Sequence, residues 1–166
     1  MDPSSQQPRR IAPDVLIAIG ALSLVALLGG VATDIGPWYF SLKQPAWKPP
    51  DWAFGPAWTL IYFTVGVACV KAWRHSSSPA QRGWLALAWF INALLNVLWS
   101  VLYFSLRRPD WALLEVGVFW LSIVWMIGLN RSIDRAATLW LAPYCVWVAF
   151  AGALNAATVL LNPVSP

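Results

Sequence analysis

Five stretches of this chain are long enough, and free enough of charge, to cross a lipid bilayer. Val15–Thr33 (19 residues), Trp52–Val70 (19), Gly83–Leu106 (24) and everything from Ala136 onward contain no charged side chain, and Trp111–Asn130 (20) is interrupted only by Glu115. A helix rises about 1.5 Å per residue, so a hydrocarbon layer of roughly 30 Å takes about 20 apolar residues to span. The pattern predicts an all-α integral membrane protein, a multi-pass bundle of five transmembrane helices with little chain left over. Charged residues make up 11% of the chain, against roughly 25% in soluble domains. No separate soluble catalytic module fits. We expect a single domain over residues 14–162, a disordered polar tail over 1–13 and a short tail over 163–166.

The longest connection, residues 33–52, opens into the sequence WYFSLKQPAWKPPDWAFGPAWTLIY over 38–62. Pro45, Pro49 and Pro50 remove backbone donors and push the preceding residues toward extended geometry, so the first half of this stretch is not expected to form a regular helix. It carries Trp38, Trp47, Trp52 and Trp58 together with Tyr39 and Tyr62. Two readings are open. The rings form an aromatic belt at the bilayer surface, or the stiff segment is a lid over a pocket.

Helices are expected over about 14–32, 54–73, 83–106, 111–130 and 136–161, the last kinked at Pro143. Ala26 and Gly30 are placed to let another helix approach the first. Phe54, Trp58 and Tyr62, spaced by four, share one face of the second. Asn92, Asn96, Trp99, Ser100 and Tyr103 share a face of the third, and Tyr144, Trp147, Ala151 and Asn155 a face of the fifth. Polar groups turned to lipid are costly, so these faces should point into protein. There they act as hydrogen-bonded glue between helices or line a cavity.

The basic residues report topology. Counting Arg9, Arg10, Lys71, Arg74, Arg82, Arg131 and Arg135 on one side against Lys43, Lys48, Arg107 and Arg108 on the other favours a cytoplasmic N-terminus. They form no run suited to nucleic acid. Cys69 and Cys145 lie inside spans and suggest no disulfide framework. The first apolar run exceeds a signal-peptide core and reads as a retained helix. His75 is expected to be a solvated loop residue, and Glu115 to sit at a helix start, favoured by the helix dipole.

The sequence holds no nucleophile elbow, phosphate-binding glycine loop or cluster of metal-binding side chains. Within the spans Glu115 stands nearly alone as a titratable acid, so paired acid–base chemistry is not expected. What the spans offer is rings and neutral hydrogen-bonding groups on three helix faces. If they converge, they form an apolar pocket for a flat lipophilic ligand.

The residues Trp38-Tyr39, Leu42, Pro45, Trp47-Lys48-Pro49-Pro50, Phe54, Trp58 and Tyr62 resemble the first-loop and second-helix signature of the tryptophan-rich sensory protein/translocator protein (TspO/MBR, peripheral benzodiazepine receptor) family. Asn92, Leu95-Asn96 and Trp99-Ser100 resemble its third-helix motif. Pro143-Tyr144, Trp147, Phe150-Ala151 and Leu154-Asn155 resemble its fifth. The resemblance implies a five-helix bundle, usually a homodimer in membrane lipid, that binds protoporphyrin IX, haem and other flat lipophilic ligands. Porphyrin would be a ligand, not an obligatory cofactor. It implies a receptor or carrier in tetrapyrrole handling and in stress- or oxygen-dependent regulation. Light-dependent porphyrin degradation and a structural or regulatory membrane partner are the alternatives. By motif, the implied ligand-binding residues are Tyr39, Trp58, Tyr62, Asn96, Ser100, Trp147 and Ala151, with Lys43 and Lys48 as candidate propionate contacts. The family's animal sterol motif needs a Tyr followed by a basic residue late in the fifth helix. This chain reads AATVLLNPVSP there, so sterol binding at that place is not implied.

Overall fold

The chain folds into α1 (Pro13–Ala32), α2 (Pro37–Ser41), a 3-10 turn (Asp51–Ala53), α3 (Phe54–His75), α4 (Pro79–Ser100), a π-helical turn (Val101–Ser105), α5 (Pro109–Ile133), α6 (Arg135–Leu139) and α7 (Ala142–Leu161). This computed structural model describes residues 12–163, so both expected tails lie almost wholly outside the described residues. Proline sets where most of the helices begin. α1, α2, α4, α5 and α7 each carry one in their first two positions, where a missing N–H breaks no intrahelical bond. Five segments, 13–32, 51–75, 79–105, 109–133 and 135–161, are long and apolar enough to cross a membrane. No strand occurs among the described residues.

Every expected span is present, and the differences lie at the ends. The third begins at Pro79 because Ser78 caps it, its side chain accepting from the Gln81 N–H. The polar turn before it shrinks to residues 76–78, and His75 becomes the last residue of α3. It is not simply solvated: its Nδ1 lies 2.9 Å from Asp134 Oδ2. Asp134 ties this end of the bundle together. It accepts from the N–H groups of Ala136 and Ala137, capping α6, and faces Lys71 at 3.7 Å. Burial pushes its carboxyl up, but those two N–H donors, Lys71 and His75 outweigh it and hold it below the usual range. Pro143 interrupts the fifth span as expected: α6 stops at Leu139 and α7 starts at Ala142. The proline-rich connection is not wholly irregular either, since α2 makes one turn before Pro45 is reached.

The central core joins Ile61, Val65 and Ala68 of α3 to Val116, Phe119, Ile123 and Met126 of α5 and to Tyr144 and Val148 of α7. By contrast α1 lies at the margin, against α3 and α4, with Gly29 its only buried residue. The close approach therefore runs through Gly29 and not through the Ala26/Gly30 pair. A Cβ on Gly29 would stand 3.7 Å from Ser100 Oγ, whereas Gly30 has open space.

Past Ser100 the i→i+4 ladder slips. Leu106 N–H bonds to Val101 C=O at 2.9 Å, the i→i+5 spacing of a π turn, and Arg107 then ends the run in the left-handed region at φ 55°. The slip rotates Tyr103 and Phe104 inward, where they pack with Tyr39 and Ala112.

Candidate functional site

A cavity of about 470 Å³ opens between α1, α3, α4 and α7 beneath the 33–53 connection. α3 contributes Trp58 and Tyr62, α4 Asn96 and Ser100, α7 Trp147 and Ala151, and the connection Tyr39 and Lys48. All seven positions implied as ligand-binding therefore line one space. Lys43 does not: its backbone is tied instead to Asn162 at the end of α7, by a 2.9 Å bond in each direction.

The spacing of the α3 residues explains its wall. One turn apart, Trp58 and Tyr62 stack with ring centroids at 5.4 Å and an interplanar angle of 29°. The Trp147 ring stands edge-on to Trp58 at 6.4 Å and 82°, and Phe54, also on the cavity wall, lies 5.8 Å from Trp147. On the other side Trp99, Tyr103 and Phe104 form a second ring cluster, Trp99 and Tyr103 at 5.2 Å.

The polar face of α4 does both things open to it. Asn92 donates to Ser122 of α5 at 2.8 Å and accepts from Tyr144 of α7 at 2.9 Å. Asn96 accepts from Tyr62 at 3.2 Å and donates to Tyr144 at 3.4 Å. Trp99 donates to Asn155 at 3.3 Å, and Asn155 donates to the Pro109 carbonyl at 2.9 Å. These bonds knit four helices together and leave Asn96, Ser100 and Tyr103 on the cavity wall.

The roof is locked from within. Tyr39 donates to Asp51 Oδ1 at 2.7 Å, and Lys48 pairs with the same oxygen while its ammonium sits 5.3 Å from the centre of the Tyr39 ring. Burial first, then the bond to Asp51 and that carboxylate's charge, push the Tyr39 phenol well above its usual range, so it stays a donor. Lys48 reaches the cavity with its charge already matched by Asp51, which a ligand carboxylate would have to share or displace. Trp47 rests edge-on against Phe150 of α7 at 5.8 Å. The belt and lid readings thus divide by residue: Trp52 points outward, 76% exposed, while Tyr39 is buried in the roof.

Two N–H donors on the lining residues Gln44 and Trp147 are buried without a partner. Unmet buried donors are costly, and a ligand acceptor could satisfy them. The motif reading did not single out Gln44, and its flank of proline and lysine gave no signal of it. His75 lies at the opposite end of α3 from the cavity. Among the described residues no three His, Cys, Asp or Glu side chains come together to hold a metal ion. Glu115 departs from expectation. It does not sit at the helix start but is buried in the second turn of α5, with neither carboxylate oxygen hydrogen-bonded.

Comparison with known proteins gives a consistent answer. The profile of the TspO/MBR family matches residues 16–161. The chain is 36% identical to the tryptophan-rich protein TspO of Archaeoglobus fulgidus, over 79% of this chain and 84% of that one. It is 35% identical to protein CrtK of Rhodobacter capsulatus, over 81% and 84%. It is 31% identical to the translocator protein of Sus scrofa, over 87% and 89%.

Proposed function

Because the chain belongs to the TspO/MBR family, we propose that its roofed cavity binds a tetrapyrrole such as protoporphyrin IX or haem. The protein then serves as a membrane receptor or carrier in tetrapyrrole handling and in stress- or oxygen-dependent regulation. The observation that supports this most is the meeting of Trp58, Tyr62 and Trp147 from two helices around a single apolar space under a rigid roof. Aromatic walls with a few placed polar groups suit a flat, lipophilic molecule, and about 470 Å³ falls within the usual range of ligand sites. The macrocycle stacks on Trp58 and Trp147. Its acidic arms turn to the roof, where Lys48 supplies charge and Gln44 an unpaired N–H.

Titration of the purified protein with protoporphyrin IX, followed by tryptophan quenching, tests this. Saturable binding is expected, and Ala151→Trp, which fills the space between Trp147 and Asn155, should abolish it. Equal binding to wild type and Ala151→Trp would overturn the assignment of the site.

The pairing of two indoles on one cavity wall favours a second reading, light-dependent breakdown of the bound pigment. Illuminated pigment should then disappear faster with wild type than with Trp58→Ala/Trp147→Ala or without protein. Equal rates in all three would remove that reading.

A further inference from the structure

A second hollow, of about 910 Å³, lies beneath α1 between α3 and α4. Its walls are apolar: Ala21 and Leu22 of α1, Trp73 of α3, and Trp89, Phe90 and Ala93 of α4. Unlike the first cavity it is lined, among the described residues, by helices alone, with no loop over it, and it opens at the level of the spans. Tyr62 and Asn96 belong to the lining of both hollows. The partition at that point is one side-chain hydrogen bond of 3.2 Å between α3 and α4.

The covering helix packs along α3 and α4 mainly through partly buried side chains. Of the 20 residues of α1 only Gly29 is buried. An ion pair from Asp14 to Arg74 holds one end, and Gly29 against Ser100 with the Ser105 hydroxyl on the Ala32 carbonyl holds the other. Between them, Leu22 touches α3 at Gly66. The roof of the first cavity is instead pinned by directional bonds, the Asn162–Lys43 pair and the Tyr39–Asp51–Lys48 lock, and by the Trp47–Phe150 contact.

We propose that the crevice under α1 is a lateral entry site, in which a flat lipophilic ligand from the bilayer waits before passing between Tyr62 and Asn96 into the roofed cavity. The inference rests on the tetrapyrrole reading and adds its route. A ligand that partitions into lipid already lies at the depth of this crevice, so it need not cross the polar roof. The aromatic walls of Trp73, Trp89 and Phe90 receive the ring. The passing group exchanges the Tyr62–Asn96 bond for contacts of its own.

The test is the rate of protoporphyrin IX binding and release by the full chain in lipid nanodiscs, read by tryptophan quenching. Ala21→Phe and Ala93→Phe, each narrowing the crevice, should slow association and dissociation together by tenfold or more and leave Kd within twofold. A merely structural defect would shift Kd or melting instead. Ala93→Leu serves if Ala93→Phe folds poorly. A disulfide from Lys43→Cys with Asn162→Cys, fixing the roof to α7, should leave both rates within twofold of its reduced form. Unchanged rates in the crevice variants, or rates slowed by the roof disulfide, would overturn the route while the site stands. Failure of wild type to bind protoporphyrin IX would sink the tetrapyrrole reading and the route with it.

Discussion

The side-chain amide of Asn162 closes on the backbone of Lys43 from both sides: Asn162 Oδ1 accepts from the Lys43 N–H at 2.9 Å, and Asn162 Nδ2 donates to the Lys43 carbonyl at 2.9 Å. The same Nδ2 also donates to Thr158 C=O at 2.8 Å, so the last turn of α7 holds the amide in place. A connection with four prolines, Pro37, Pro45, Pro49 and Pro50, has few backbone donors of its own to spend on secondary structure. One amide from another element fixes its position over the cavity. Asn162→Ala should cost about 1–2 kcal/mol, the worth of two modest hydrogen bonds. Amide exchange at Lys43 should accelerate sharply in this variant. Protection equal to wild type would show that the clamp carries no load.

The Tyr39 lock predicts a pH dependence. The phenol has a folded value raised above its ordinary 10.0. Its contribution to the roof is therefore complete below about pH 10 and is lost as pH rises through the higher folded value. Protection factors across residues 39–51 should stay flat from pH 7 to 10 and fall only beyond. Tyr39→Phe should remove that late fall and weaken the roof by about 1 kcal/mol at neutral pH. A loosening between pH 7 and 9 would contradict the assignment.

Asn92 is the hub of the polar face, joining α4 to Ser122 of α5 and Tyr144 of α7. Asn92→Leu removes both bonds and leaves the buried Tyr144 hydroxyl dependent on Asn96 alone. Side-chain hydrogen bonds between membrane helices are worth about 0.6–2 kcal/mol each. Unfolding from bicelles should show a loss of about 1–3 kcal/mol. No loss would mean that the helices re-pair.

Glu115 points the other way. A buried carboxyl with no partner is a liability that packing must offset. Glu115→Met, close in volume, should raise stability by about 1–3 kcal/mol, seen as a higher melting temperature. A marked fall would show that the acid has a partner or a task.

Much of this architecture is legible in the residues. Runs with at most one charge mark the five spans, because a charge in hydrocarbon is too costly to place at random. The four-residue spacing of Phe54, Trp58 and Tyr62 gives a wall, because side chains one turn apart share a helix face. What escapes the sequence depends on geometry that no period records. The π turn at Val101–Ser105 adds one residue to a turn and redirects Tyr103 and Phe104. Counting charges places Glu115 near a helix start, but α5 begins two residues earlier and carries it into the bundle. Asn162 reads as a stop before Pro163, yet its partner is 119 residues away in sequence. The hollow under α1 depends on how that almost uniformly apolar helix leans on α3 and α4, which no period in its sequence records.

The central claim is that Trp58 and Trp147 together form the cavity wall on which a flat ligand stacks. Its most direct test is the affinity for protoporphyrin IX of Trp58→Ala/Trp147→Ala beside a control, Trp84→Ala/Trp111→Ala. The control rings are half exposed and lie off the cavity. Aromatic stacking at about 1–1.5 kcal/mol per ring, with the area lost, predicts an affinity at least thirtyfold weaker for the first pair. The control should bind like wild type. Equal affinity for both pairs would contradict the account.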